Sequence, residues 1–294
     1  MRVLLPLIAA LALLSGHSGA APEAGKAPAT AAQTPAPPRP ARLVYPWLAA
    51  PGPATQTLAA RFPAPAGCRR VAVAAGSWAE WLRYLPLAPA GTKARLFDGR
   101  LKARQDVVAA VVNIDIGPKD LQQCADAVIR LRAEYLFSHD PSKVHFHLTT
   151  GYDFWFSDYV AGKTFWVRGE EVSPAAKPAE APTHAALGRY LRPTFGYAGT
   201  LSLSRELQAV PLAQVQPGDV LIRGGAPGHA VLVVDVAEHP ATGRKYMLLA
   251  QSYMPAQNIH VLREGTQIWF PVNKARPVVS TPEWDFETAE LGRF

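Results

Sequence analysis

Long apolar runs are scarce in this 294-residue chain. The one at the start, Val3 to Leu14, is too short to cross a bilayer as a stable helix and carries Pro6, so no transmembrane anchor is expected. Cysteine is nearly absent: Cys68 and Cys124 are the only two, which leaves room for one disulfide at most. No cysteine stands near the N-terminus, which argues against lipid modification there. No internal repeat is visible. The formal charge is +7, but the basic residues are scattered without aromatic interleaving, so nucleic acid is not an expected partner; a modest basic excess suits attraction to anionic envelope polymers.

What is present divides the chain into three. Residues 1–20, with Arg2, the short apolar run and the small residues ending at Ala20, have the parts of a secretory signal peptide. The expected destination is therefore the periplasm or the outside of the cell. Residues 21–42 are rich in Ala, Pro, Thr and Lys and cannot bury enough apolar surface to offset the entropy of ordering, so they read as a disordered linker. Leu43-Val44-Tyr45-Pro46-Trp47 is the first cluster of large apolar residues. From there 43–294 form one globular domain of roughly 250 residues, enough for a substantial core. The Pro-rich stretch Val172 to Thr183 reads as a surface excursion.

Inside the domain, Ser77 with Glu80 three residues on predicts a capped helix carrying Trp78, Trp81 and Leu82. Val107 to Ile116 reads as a buried strand, and Asp120 as the cap of a second helix. Leu121, Cys124, Val128, Leu131 and Tyr135 recur at helical spacing, predicting that helix from Leu121 to Phe137 with Cys124 in its first turn. Amide N–H groups at a helix start favour negative charge, so a thiol there can have a lowered pKa. Pro217-Gly218-Asp219 opens an apolar run, Gly224-Gly225 and Pro227-Gly228 make a second turn, and His229 begins a β-branched run: a hairpin with one imidazole at the lip of its second strand. The next strand, Lys245 to Tyr253, carries Gln251, an amide that can orient an imidazole; Asn258 and His260 are weaker substitutes.

Three readings of Cys124 stand side by side: a reactive thiol paired with His229, a disulfide with Cys68, or an inert core residue. His229 also reads as an ordinary strand-end residue and Gln251 as a sheet-edge amide. His145-Phe146-His147 places two imidazoles on one strand face, a spacing able to chelate a metal, but no third ligand is visible nearby and no metal or cofactor is expected. Asp106, Asp115 and Asp120 read as caps and turn residues. Trp155, Tyr159, Trp166, Trp269 and Trp284 could line a sugar or peptide cleft, though such residues more often fill cores.

The stretch Pro217 to Asp235 resembles the second half of the NlpC-type and CHAP-type papain-like hydrolases, in which a cysteine on an earlier helix pairs with a histidine oriented by a polar residue on the following strand. A second resemblance covers most of the domain. Trp81 to Leu87, Asp120 to Ala127, Leu131 to Leu136, Tyr197 to Leu203, Pro227 to Val231, Leu249 to Gln257 and Thr281 to Trp284 are similar to a bacterial exported family known as domain of unknown function 4846. That family's pattern includes the positions of Cys124, His229 and Gln251, and carries an aromatic residue more often where Cys68 stands here, which counts against a disulfide.

Together these readings predict an α+β domain with a papain-like core, the Cys124 helix packed on an antiparallel sheet carrying His229 and Gln251. A long insertion between Cys124 and His229 would hold the His145 strand and a helix from Tyr197 to Leu207. The expected activity is that of a cysteine amidase or peptidase acting on a cell-wall peptide. The alternative is a non-catalytic exported binding or scaffolding protein holding a wall peptide or glycan.

Overall fold

A computed structural model describes residues 39–50, 53, 56–273 and 275–294. The expected signal peptide and most of the expected linker lie outside the described residues. Contacts to the domain begin at Arg39, whose guanidinium stands 5.5 Å from the centre of the Tyr45 ring, and at Arg42, which pairs with Glu80.

The domain is α+β, built on one central antiparallel sheet. Its middle strand, His229–Glu238, is buried along nearly its whole length. It pairs on one side with Val220–Arg223 and on the other with Lys245–Gln251, which pairs in turn with His260–Leu262 and, through it, with Val108–Val111. The C-terminal strand Leu291–Arg293 pairs with Val220–Arg223, and the short strand Gln208–Ala209 closes the far edge against it. A run of Val, Leu and Ala buried on both faces explains the central position, because such a strand has no polar face to give to water.

Each face of the sheet carries its own core. Ala230, Leu232, Val234, Leu248 and Ala250 pack with Ala125, Val128 and Ile129 of the helix Cys124–His139 and with Trp81 and Leu82. Val231, Val233, Met247 and Leu249 pack on the opposite face with Leu212, Phe286 and Leu291. The Trp78–Arg83 helix is capped as expected, Ser77 Oγ accepting from Glu80 N at 3.2 Å. It is tied to the sheet by charge: Asp235, fully buried, accepts from Arg70 Nε at 2.5 Å and from Arg83 Nε and Nη2 at 3.0 and 2.9 Å.

The Pro217-Gly218-Asp219 turn is fixed from two sides. Gly218 has φ +100°, and a Cβ there would lie 2.5 Å from Trp78 Cδ1, so only glycine fits. Asp219 accepts from Gln216 N at 2.9 Å and from Arg293 at 2.6 and 2.9 Å, joining the turn to the last strand.

The segment between Cys124 and His229 holds the hairpin His145–His147/Asp153–Trp155, the hairpin Lys163–Arg168/Glu171–Ala176, and helices Phe156–Val160, His184–Tyr197 and Thr200–Glu206. The helix expected from Tyr197 to Leu207 is present as Thr200–Glu206, capped by Gly199; Tyr197 instead ends the preceding helix. The expected strand from Val107 to Ile116 is reduced to Val108–Val111, and part of the expected excursion from Val172 belongs to a hairpin.

Candidate active site

Helix Cys124–His139 begins at Cys124 itself. Its start is held by Asp126, whose Oδ2 accepts from Gln123 N at 3.0 Å. Asp120, expected as the cap, instead accepts from Ala256 N at 2.6 Å and from Gln123 Nε2 at 3.0 Å, binding the helix entry to the loop after Gln251. Ser252 Oγ donates across the same junction to Gln122 O at 3.1 Å.

Cys124 is 7% exposed. The amides of Ala125, Ala230 and Cys124 itself are directed at its sulfur and pull its pKa down. Burial outweighs them, and nearby Asp126 adds to it, so the thiol lies above its ordinary value. The lowered pKa expected at a helix start is thus reversed: the dipole effect holds for a thiol that still sees water, and this one does not. Asp126 is itself held near pH 8 by burial, against the pull of the Gln123 amide.

His229 opens the central strand but is 2% exposed, not standing at an open lip. Its ring lies against those of Tyr253, Trp284 and Phe286, with centroids at 4.7, 5.3 and 6.0 Å. Burial pushes its pKa down to about 4, with the hydrogen bond to Gln251 acting the other way, so the imidazole is neutral at pH 7. His229 Nε2 lies 2.9 Å from Gln251 Oε1. The Gln251 amide nitrogen donates to Glu283 Oε2 at 2.7 Å, and that carboxylate is held by Lys102 Nζ at 2.7 and 3.0 Å. Because Glu283 can only accept, the amide oxygen must be the atom that faces the imidazole. Nε2 therefore carries the proton, and Nδ1 is left as the basic nitrogen.

Cys124 meets this chain through the backbone. Ala230, whose amide is directed at the sulfur, follows His229 directly, and the Tyr253 hydroxyl that would feel a Cys124 thiolate belongs to the ring packed on His229. Among the described residues no hydrogen bond joins Cys124 to His229. The turn before His229 is packed closely against the helix Thr200–Glu206: a Cβ on Gly228 would lie 2.4 Å from Thr200 Oγ1.

Cys68 takes no part. Both cysteines are unpaired. Cys68 precedes Arg69, which pairs with Glu238 at the far end of the strand whose start faces Cys124, a separation of about 26 Å along the strand. A disulfide needs Cα atoms within about 7 Å.

A cleft of about 640 Å³ lies beside the network, lined by Arg104, Arg223, Tyr253, Glu283, Trp284 and Asp285 among others. Tyr253 and Trp284 form its layer against His229. Of the aromatic residues expected to line a cleft, Trp284 does so; Trp155 stacks on His145, Trp269 donates to Pro63 O at 2.9 Å, Tyr159 is buried in the core and Trp166 stands exposed.

Asn258 and His260 do not replace Gln251. Asn258 serves Arg95 N and its carbonyl accepts from His260 Nδ1 at 2.9 Å. His260 sits opposite Gln251 across the sheet, with Nε2 4.0 Å from Glu283 Oε2, and complete burial pushes its pKa down to about 4. Of the expected turn aspartates, Asp106 pairs with Arg104, and Asp115 with Arg130 of the Cys124 helix. Sequence reading missed Lys102, and gave Tyr253 and Glu283 no role although they lie in the recognisable segments Leu249 to Gln257 and Thr281 to Trp284. His145 and His147 have a third potential ligand after all, Glu206.

A buried thiol at a helix start, with the Ala230 amide directed at it, and on the residue before Ala230 an imidazole whose Nε2 is fixed by an amide, have the residue types of a cysteine nucleophile and its base. The chain matches the family described as domain of unknown function (4846) over residues 58–293 and belongs to it. No curated protein and no solved structure matches the chain. Among the described residues no helix is long and apolar enough to cross a membrane.

Proposed function

We propose that this is an exported cysteine hydrolase with a papain-like core, cleaving an amide in a cell-envelope peptide such as a peptidoglycan stem or crosslink. The observation that carries the reading is the chain Lys102, Glu283, Gln251, His229, which leaves Nδ1 of a neutral imidazole as the free base. In the reaction Cys124 Sγ attacks the amide carbon while its proton passes to His229 Nδ1. The amides of Ala125 and Ala230, directed at the sulfur, are the proposed donors to the developing oxyanion. Collapse breaks the C–N bond, and His229 returns the proton to the leaving amine, giving a thioester. Water, deprotonated by His229, then attacks the thioester carbon; the acid departs and the thiol is restored. Since burial keeps both groups neutral at rest, proton transfer accompanies attack and does not precede it. The cleft lining carries both signs of charge, Arg104 and Arg223 with Glu283 and Asp285, which suits a peptide bearing both amine and carboxylate.

Replacing Cys124 with Ala should abolish hydrolysis of purified wall peptides and leave the fold intact by circular dichroism; full activity in that variant would end the proposal. A second reading, a binding protein without turnover, is favoured by the burial of both Cys124 and His229 and by the absence, among the described residues, of a hydrogen bond between them. It requires that wall peptides bind wild type and Cys124→Ala equally and that neither cleaves them.

A further inference from the structure

Outside the candidate active site, three ligand-type side chains converge from two elements. In the hairpin His145–His147/Asp153–Trp155, His145 sits opposite Trp155 and His147 opposite Asp153. Each imidazole is oriented by its cross-strand partner. The His145 ring stacks on Trp155 at 4.0 Å with 9° between planes. His147 Nε2 lies 2.7 Å from Asp153 Oδ1, so that nitrogen carries the proton and Nδ1 presents its lone pair. Nδ1 is buried, has no hydrogen-bond partner, and faces Glu206 Oε2 at 3.4 Å. One ring nitrogen from each histidine and one Glu206 oxygen all lie within 4.8 Å of one another.

Glu206 Oε2 accepts only a long bond from His147 N, at 3.5 Å, so the Nδ1 lone pair and the carboxylate oxygen facing it repel. A second proton on His147 would relieve this, but it gives the converging His145 no role. A divalent cation uses all three groups. We propose that His145, His147 and Glu206 bind a zinc-class divalent ion, with Asp153 holding His147 in the ligating tautomer. Two imidazoles and one carboxylate suit a borderline ion of this kind, and three protein ligands leave a fourth tetrahedral position for water. An acceptor on the outer nitrogen of a ligating histidine is the usual support for such a site.

The ion would fasten the hairpin to the end of the helix Thr200–Glu206. That helix holds the turn leading to His229: Thr200 Oγ1 donates to Gly225 O at 3.1 Å, and a Cβ on Gly224 would lie 2.2 Å from Ser204 Oγ. The ion is thus a brace beneath the candidate active site, not part of the reaction. Arg132, a cation whose field reaches Glu206, is spread over the rings of Trp78, Tyr135 and Phe294, so it does not occupy the place between the three ligands.

The test uses untagged protein titrated with Zn²⁺ by calorimetry and with Co²⁺ by visible absorption. One equivalent should bind, with Co²⁺ bands typical of a nitrogen and oxygen ligand set, and binding should persist in Cys124→Ala. Glu206→Gln, nearly isosteric, and His147→Ala should each weaken Zn²⁺ by about a hundredfold, and Asp153→Asn by about ten- to a hundredfold. Circular dichroism of each variant checks folding, and Glu206→Gln carries the test if His147→Ala does not fold. Absence of Zn²⁺ binding by the wild-type chain, binding unchanged in Glu206→Gln, or binding lost in Cys124→Ala would each overturn the site. None of these readouts depends on hydrolysis, so the metal site and the hydrolase proposal can fail separately.

Discussion

Gln251 Oε1 lies 2.9 Å from His229 Nε2, and the same amide donates to Glu283 at 2.7 Å. The carboxylate thereby decides which way the amide points, and the amide decides which imidazole nitrogen keeps its proton. Gln251→Ala should lower kcat/KM on wall peptides by about ten- to a hundredfold, the usual scale for losing an orienting partner. Glu283→Gln, which frees the amide to turn over, should give a smaller loss. Equal activity in Gln251→Ala and wild type would mean that the imidazole is oriented by its ring packing alone.

His229 and His260 are both buried, each with its pKa pushed from about 6.5 to about 4. In the unfolded chain both take a proton near pH 6.5, while in the fold they resist it. Unfolding is therefore favoured as pH falls from about 6.5 towards 4, with no further change from these groups below that. Each contributes on the order of 3 kcal/mol across this window. Urea midpoints measured from pH 7 to 4 should fall, and His260→Asn should flatten the fall.

Asp126 behaves in the opposite sense. Its folded pKa is raised to about 8, so the protonated form is the one the fold favours, and its contribution is lost as pH rises from about 4 to 8. Asp126→Asn keeps an acceptor for Gln123 N and removes the charge that raises the Cys124 pKa. The variant should be more stable than wild type at pH 8, and its Cys124 should be alkylated faster above pH 8, where the wild-type carboxylate is charged. Slower alkylation would mean that the carboxylate serves Cys124 in some other way.

Asp235 joins Arg70 and Arg83 to the central strand in a fully buried carboxylate. Asp235→Ala leaves two guanidinium groups without their partner and should cost about 3–5 kcal/mol, read from chemical unfolding. A loss below about 1 kcal/mol would show that water reaches both arginines.

Local signals in the sequence carried the placement of Cys124, His229 and Gln251. Helical spacing located the Cys124 helix, and the Pro-Gly-Asp turn with its Gly-His strand located the central hairpin, because turns and periodicity are properties of neighbouring residues. The partners of those residues are long-range and leave no local trace. Glu283 reaches Gln251 from 32 residues away and Lys102 reaches Glu283 across 181; nothing near Lys102 marks it. The same holds for Asp235, which stands unremarked in an apolar run and is matched by arginines 165 and 152 residues away. Depth of burial was equally hidden, which is why the expected acidic thiol at Cys124 has a raised pKa. The helix expected from Tyr197 to Leu207 starts only after Gly199, and its Thr200 and Ser204 press on the glycine turn before His229.

The central claim is that Cys124 forms and releases an acyl bond. The direct measurement is mass spectrometry of wall peptides incubated with the purified protein, alongside intact-protein mass in His229→Ala and Cys124→Ala. The account predicts peptides cleaved with gain of one water by wild type, loss of cleavage in both variants, and any trapped acyl group located on Cys124. Wall peptides that bind but emerge whole from wild type, or cleavage that persists in Cys124→Ala, would contradict it.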